Sequence, residues 1–113
     1  MPKNKRDHNL YLSDIGECIK NIEQYTQNLT FEKFKNNKMA IDAVIRNLEI
    51  IGEAANNIPA EIKAKYSDVP WHRIIGMRNK VIHEYFGVDV KILWETIKKR
   101  IPELKKVINK IKS

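Results

Sequence analysis

The chain has 113 residues, 42% of them hydrophobic and 31% charged, with four Gly, four Pro and a formal net charge of +7. That length suits one domain over residues 1–113 with a single core, and the composition excludes a disordered chain. No apolar run is long enough to span a bilayer and the amino terminus lacks a signal-peptide h-region, so the expectation is a cytoplasmic protein with no membrane attachment. Its one cysteine, Cys18, can form no internal disulfide and is expected to be packing material beside Ile19 and Ile22.

Apolar spacing predicts a first helix from about Asn9 to Asn28, capped by Asp7, with Leu12, Ile15, Ile19, Ile22 and Leu29 recurring on one side. Thr30 is placed to cap a short helical turn through Phe31 and Phe34, and Asn36-Asn37 breaks the pattern. A second long helix is predicted from about Lys38 to Asn57. Ile41, Val44, Ile45, Leu48, Ile51, Ala55 and Ile58 form its core stripe, and Asp42, Arg46, Glu49 and Glu53 form a polar ladder on another face. Gly52, Ala54 and Ala55 leave a low surface that another helix can approach.

Pro59 suits the first turn of a short helix through about Tyr66, followed by a turn over Ser67-Asp68-Val69-Pro70. A further helix is predicted from near Trp71 to Gly87. Asp89 then caps a last helix whose seam is Val90, Leu93, Ile97, Ile101, Leu104, Ile108 and Ile111, and Pro102 within it should bend or divide it. No segment sustains period-two alternation. The expected fold class is all-α, a bundle of four main helices with a short fifth.

Charge is concentrated at one end. Residues 98–113 hold seven basic side chains against Glu103 alone, while the rest of the chain is nearly neutral. Such a face can attract nucleic acid by counterion release, with Lys98, Lys99, Lys105 and Lys106 as candidate RNA contacts, or it can be a solvated helix whose lysines suit the negative end of the macrodipole.

The stretch Arg78-Asn79-Lys80-Val81-Ile82-His83-Glu84-Tyr85 carries the chemistry. RNA can be cut without a metal because its 2′-hydroxyl is a nucleophile. His83 suits proton transfer near neutral pH. Arg78 offers a permanently charged fork to a phosphate, Asn79 adds a neutral donor and acceptor, and Lys80 is a further possible RNA contact. On one straight helix Arg78 and His83 would stand about 140° apart, so a cleft shared by two copies would assemble them more readily. The expectation is a C2 homodimer. His72 is a minor candidate for substrate contact, packing at the helix start being its expected role. The three histidines form no His-x3-His pair, and Walker, dinucleotide and nucleophile-elbow motifs are absent, so neither a metal nor a cofactor is expected.

The Arg-x4-His-x-Tyr block resembles the signature of HepT-like proteins of the HEPN superfamily. The resemblance extends to Asp42-Ala43-Val44-Ile45-Arg46-Asn47-Leu48-Glu49-Ile50-Ile51-Gly52-Glu53-Ala54-Ala55, Val69-Pro70-Trp71, Phe86-Gly87-Val88-Asp89, Trp94 and Ile101-Pro102-Glu103-Leu104. These cover most of residues 10–110. What the resemblance implies is a HEPN-like, homodimeric, metal-independent endoribonuclease toxin of a type VII toxin–antitoxin system, with Arg78 and His83 catalytic and Asn79 supporting. It also implies that Tyr85 is adenylylated by a cognate minimal nucleotidyltransferase, the antitoxin, which silences the RNase. Two other readings compete. One is a non-catalytic HEPN module that serves as an interaction or nucleotide-binding partner of the nucleotidyltransferase. The other, a basic DNA-binding helical protein, is opposed by the apolar Val81 and Ile82 in the motif segment.

Overall fold

The computed structural model describes residues 8–77 and 87–112, together with the backbone of Ile82 and His83. Two long helices, α1 (His8–Thr26) and α3 (Lys38–Asn57), make the frame, joined through the short α2 (Phe31–Lys35). Local chemistry sets the boundaries. The Thr30 hydroxyl accepts from the Lys33 amide at 3.2 Å to start α2, and Asn37 Oδ1 accepts from the Ala40 amide at 3.0 Å to start α3. Each such cap satisfies a donor that the helix itself leaves unpaired.

The core follows the apolar spacing. Leu12, Ile15 and Ile22 of α1 and Val44, Leu48 and Ile51 of α3 are fully buried in one cluster, joined by Phe34 of α2. Removing such a side chain from water contributes about 1.5–3 kcal/mol. Leu29, Ile41 and Ile45 lie at the margin of this core, partly buried. Three described polar residues are buried: the hydroxyls of Thr26 and Thr96 donate to the carbonyls of Ile22 at 2.8 Å and Ile92 at 2.9 Å, and Asn47, 6% exposed, donates to the Ala43 carbonyl at 2.8 Å and accepts from Asn21 of α1 at 3.2 Å. That pair satisfies both ends of the buried amide, as burial requires, and sets the register of α1 on α3.

Two short helices follow, α4 (Ala60–Lys65) and α5 (Trp71–Ile75), with Pro59 and Pro70 at their N-cap positions. The chain then makes a short antiparallel pairing, β1 (Ile82–His83) with β2 (Gly87–Val88), in which Ile82 lies opposite Val88 and His83 opposite Gly87. The last helical run comprises α6 (Val90–Glu95), a π-turn (Thr96–Arg100) and α7 (Ile101–Lys112). Asp89 caps α6 as expected, its Oδ1 accepting from the Ile92 amide at 3.0 Å.

Pro102 divides this run as foreseen, and the widened turn is the means. A proline in a helix lacks an amide donor, and its ring presses on the carbonyl four residues earlier. Here the Ile101 amide instead reaches the Thr96 carbonyl, one residue farther back than in an α-helix, so the turn opens just before Pro102. The described residues thus contain three long helical runs and three short helices, where four main helices and a short fifth were expected. None of these helices is long and apolar enough to cross a membrane.

Candidate functional site

α5 leads directly towards the Arg78 motif, so its anchors position the entry to that segment. Trp71 is buried, and its indole Nε1 donates to the carbonyls of Lys63 at 3.2 Å and Tyr66 at 3.1 Å, tying the end of α4 to the start of α5. At the other end, α5 lies against the low surface of α3. A Cβ placed on Gly52 would stand 2.9 Å from the Ile75 carbonyl oxygen, closer than carbon and backbone oxygen tolerate. The close approach expected of Gly52 is therefore real, and its occupant is the carbonyl end of α5.

The expectation of one helix from Trp71 to Gly87 is corrected. α5 closes at Ile75, Gly76 is a turn, Met77 is helical again, and by Ile82–His83 the backbone is extended. The physical reasons are local. Gly76 accommodates a turn at the helix end, β-branched Ile82 and Val88 favour extended backbone, and Gly87 takes a positive φ of 78°, which glycine adopts without steric cost. The 140° separation argued for Arg78 and His83 on a single straight helix no longer applies, nor does the alignment of His72 with His83 over three turns. His72 is exposed on α5, so helix-start packing is not its role. Arg78, Asn79, Lys80 and Tyr85 lie outside the described residues, as does the side chain of His83.

Beside α5 opens a groove of about 660 Å³, with α5 on one wall and the last helical run on the other. Ile74, Met77, Leu104 and Val107 give it an apolar lining. Arg73 stands on the α5 side, and Lys99 and Arg100 come from the π-turn. Arg100 donates to Glu103 at 3.3 Å, whereas Arg73 and Lys99 make no hydrogen bond or ion pair among the described residues. Glu95 adds one further carboxylate to the lining. Arg73 was not singled out from the sequence; its place two residues after Trp71, five before Arg78, was the available signal.

The candidate lysines do not share one surface. Lys98 lies over the Trp94 ring, 4.6 Å from its centroid, and that ring packs on Phe34 and Phe31 at 5.1 and 6.1 Å between centroids. Lys105 pairs with Glu23 of α1 at 3.1 Å. Lys98 and Lys105 thus turn towards α2 and α1, Lys99 turns into the groove, and Lys106 is exposed. Cys18 is buried as expected. Burial first, and then the carboxylates of Asp14 and Glu17, push its thiol up to about 11, with Arg46 opposing them.

A family model described as "Ribonuclease HepT-like" matches residues 15–111. The chain belongs to the HepT-like ribonuclease family. A HepT-like protein of Thermococcus cleftensis named "Probable ribonuclease HepT" is 49% identical over 96% of this chain and 98% of its own. A Methanocaldococcus jannaschii protein named "Putative RNase MJ1216" is 49% identical over 95% of this chain and 88% of its own, and a second from that organism, "Putative RNase MJ0125", is 48% identical over 95% and 92%. No solved structure matches the chain. The HepT-like match runs from Ile15 in α1 to Ile111 in α7, so it takes in the core helices, the Arg78 motif and both walls of the groove.

Proposed function

We propose that this chain is a metal-independent endoribonuclease acting as the toxin of a type VII toxin–antitoxin pair in the cytoplasm. The observation that carries the reading is the near full-length similarity to relatives named as ribonucleases, in a chain holding Arg78, His83 and Tyr85 in the order Arg-x4-His-x-Tyr. In this reading the His83 imidazole takes the proton from a ribose 2′-hydroxyl. The 2′-oxygen attacks phosphorus, and Arg78 stabilises the added negative charge on the phosphorane, with Asn79 supporting it by hydrogen bonding. The 5′-oxygen then leaves with a proton, giving a 2′,3′-cyclic phosphate and a free 5′-hydroxyl. A homodimer brings a second motif to the cleft and so a second imidazole, which can act as the acid. Tyr85 is the acceptor for adenylylation by the nucleotidyltransferase antitoxin, and the added AMP opposes entry of the RNA by bulk and by charge.

Full-length protein is expected to cleave RNA in EDTA and leave a 2′,3′-cyclic phosphate, with His83→Ala and Arg78→Ala each inactive at unchanged circular dichroism and sedimentation. Cleavage by purified His83→Ala at the wild-type rate would reject the assignment. Incubation with ATP, Mg²⁺ and the cognate nucleotidyltransferase should add AMP-sized mass and silence the RNase, whereas Tyr85→Phe should stay unmodified and active. Equal neutralisation of Tyr85→Phe would instead point to inhibition by complex formation.

A further inference from the structure

The groove between α5 and the last helical run has the size and chemistry of a nucleotide site. Sites for small ligands typically enclose about 300–1,000 Å³, with apolar walls and a few polar groups that fix orientation. At about 660 Å³ this groove lies inside that range. Its apolar side chains Ile74, Met77, Leu104 and Val107 suit the faces of a nucleobase, and Arg73 and Lys99 supply cations from different elements. Neither cation is neutralised by a described residue, so an anion entering the groove displaces no ion pair among the described residues. Arg100 is already held by Glu103 and contributes less.

Covalent geometry links the groove to the motif. Met77 lines it and is the residue before Arg78, and consecutive Cα atoms are about 3.8 Å apart. We propose that the groove is a nucleotide subsite for the RNA strand: the nucleotide beside the scissile phosphate lays its base against the apolar lining and its phosphate between Arg73 and Lys99. The proposal rests on the ribonuclease reading, since it takes Arg78 to meet the scissile phosphate. It assigns binding roles to Arg73, to Lys99 and, in opposition, to Glu95. The π-turn ahead of Pro102 is the local feature that presents Lys99 here, while Lys98 turns to Trp94.

The test uses full-length protein and a short fluorescent 2′-O-methyl RNA, which cannot be cleaved because its 2′-oxygen is blocked. Anisotropy titrations across a salt series should show Arg73→Gln and Lys99→Gln each weakening binding roughly tenfold, the scale of one charge-assisted hydrogen bond. The slope of log affinity against log salt should fall by about 0.7 for each phosphate no longer neutralised. Glu95→Gln should tighten binding, a change of direction that a purely structural role for these residues does not produce. A double Lys33→Gln, Lys38→Gln variant, which removes the same charge outside the groove, is the reference. Unchanged affinity and salt slope in an Arg73→Gln, Lys99→Gln double variant would overturn the proposal. So would a change of sedimenting mass in that variant, which would make the groove a contact between copies. Failure of the ribonuclease reading registers separately, as cleavage by His83→Ala, and leaves these binding measurements interpretable.

Discussion

Replacing Gly52 with alanine sets two opposed effects against each other, and the structure decides which one wins. In a helix interior, glycine to alanine ordinarily adds about 1 kcal/mol through backbone entropy. At Gly52 the new methyl would stand 2.9 Å from the Ile75 carbonyl oxygen and 3.7 Å from its carbon. The obstacle is backbone, which cannot rotate away, so α5 must shift, and forced packing of this kind costs about 1–3 kcal/mol. The net expectation for Gly52→Ala is a loss of about 0–2 kcal/mol. Gly16, in α1, provides the internal comparison because a Cβ there meets nothing within 4 Å. Gly16→Ala should therefore gain about 1 kcal/mol. With a shift of about 4–8 °C per kcal/mol for a domain near this size, the two variants should melt roughly 10 °C apart at equal protein concentration. Because α5 leads into the Arg78 segment, RNA cleavage by Gly52→Ala should also fall at temperatures where the variant is fully folded. If Gly52→Ala melts as high as Gly16→Ala, α5 does not rest on α3 through Gly52, and that account of how the motif is positioned is wrong.

Trp71→Phe keeps the ring's apolar bulk but strips a donor from the Lys63 and Tyr66 carbonyls; a loss of about 1–3 kcal/mol is expected, read as a lower urea midpoint at an unchanged slope. Asp89→Ala removes the side-chain acceptor for the Ile92 amide and should cost at least about 1 kcal/mol by the same titration. The Cys18 thiol should react with a disulfide reagent at pH 7.5 only after urea is added. Its pKa is raised on folding, so its contribution to stability is fully present below the ordinary thiol range near 8.5 and lost as pH rises through about 11; alkaline titration of the urea midpoint checks the sign.

Most of the helical framework could be read directly because its signals are local. The predicted limits Lys38 and Asn57 are those of α3, and Thr30 and Asp89 cap the helices they were expected to cap. The predicted seam is buried from Leu93 to Ile111 and partly buried at Val90, its first residue, because apolar residues at three- and four-residue steps leave a helix one way to hide them. Asn47 was harder to place. It sits beside the polar ladder in sequence; the Ala43 carbonyl one turn back takes its amide N–H, and its oxygen is satisfied by Asn21, 26 residues earlier.

The motif segment shows the same division between near and distant causes. A run such as Lys80-Val81-Ile82-His83 satisfies helix and strand patterns about equally at short range, and the pairing of Ile82 with Val88, six positions on, reaches beyond one helical turn. The residue types at positions 78–85 and their order were legible at once, and with them the chemistry they could perform. The groove was not legible, because Arg73 and Lys99 are 26 positions apart and come to line one groove only through two tertiary choices. One is the seating of α5 on Gly52; the other is the opening of a π-turn ahead of Pro102. Helix periodicity and caps depend on residues within about four positions of one another, and so the sequence alone determined the framework helices outside the motif segment and the identity of the reactive groups. The cleft between the helices depends on which backbones can approach and which side chains then meet across the gap, and that was decided by tertiary packing.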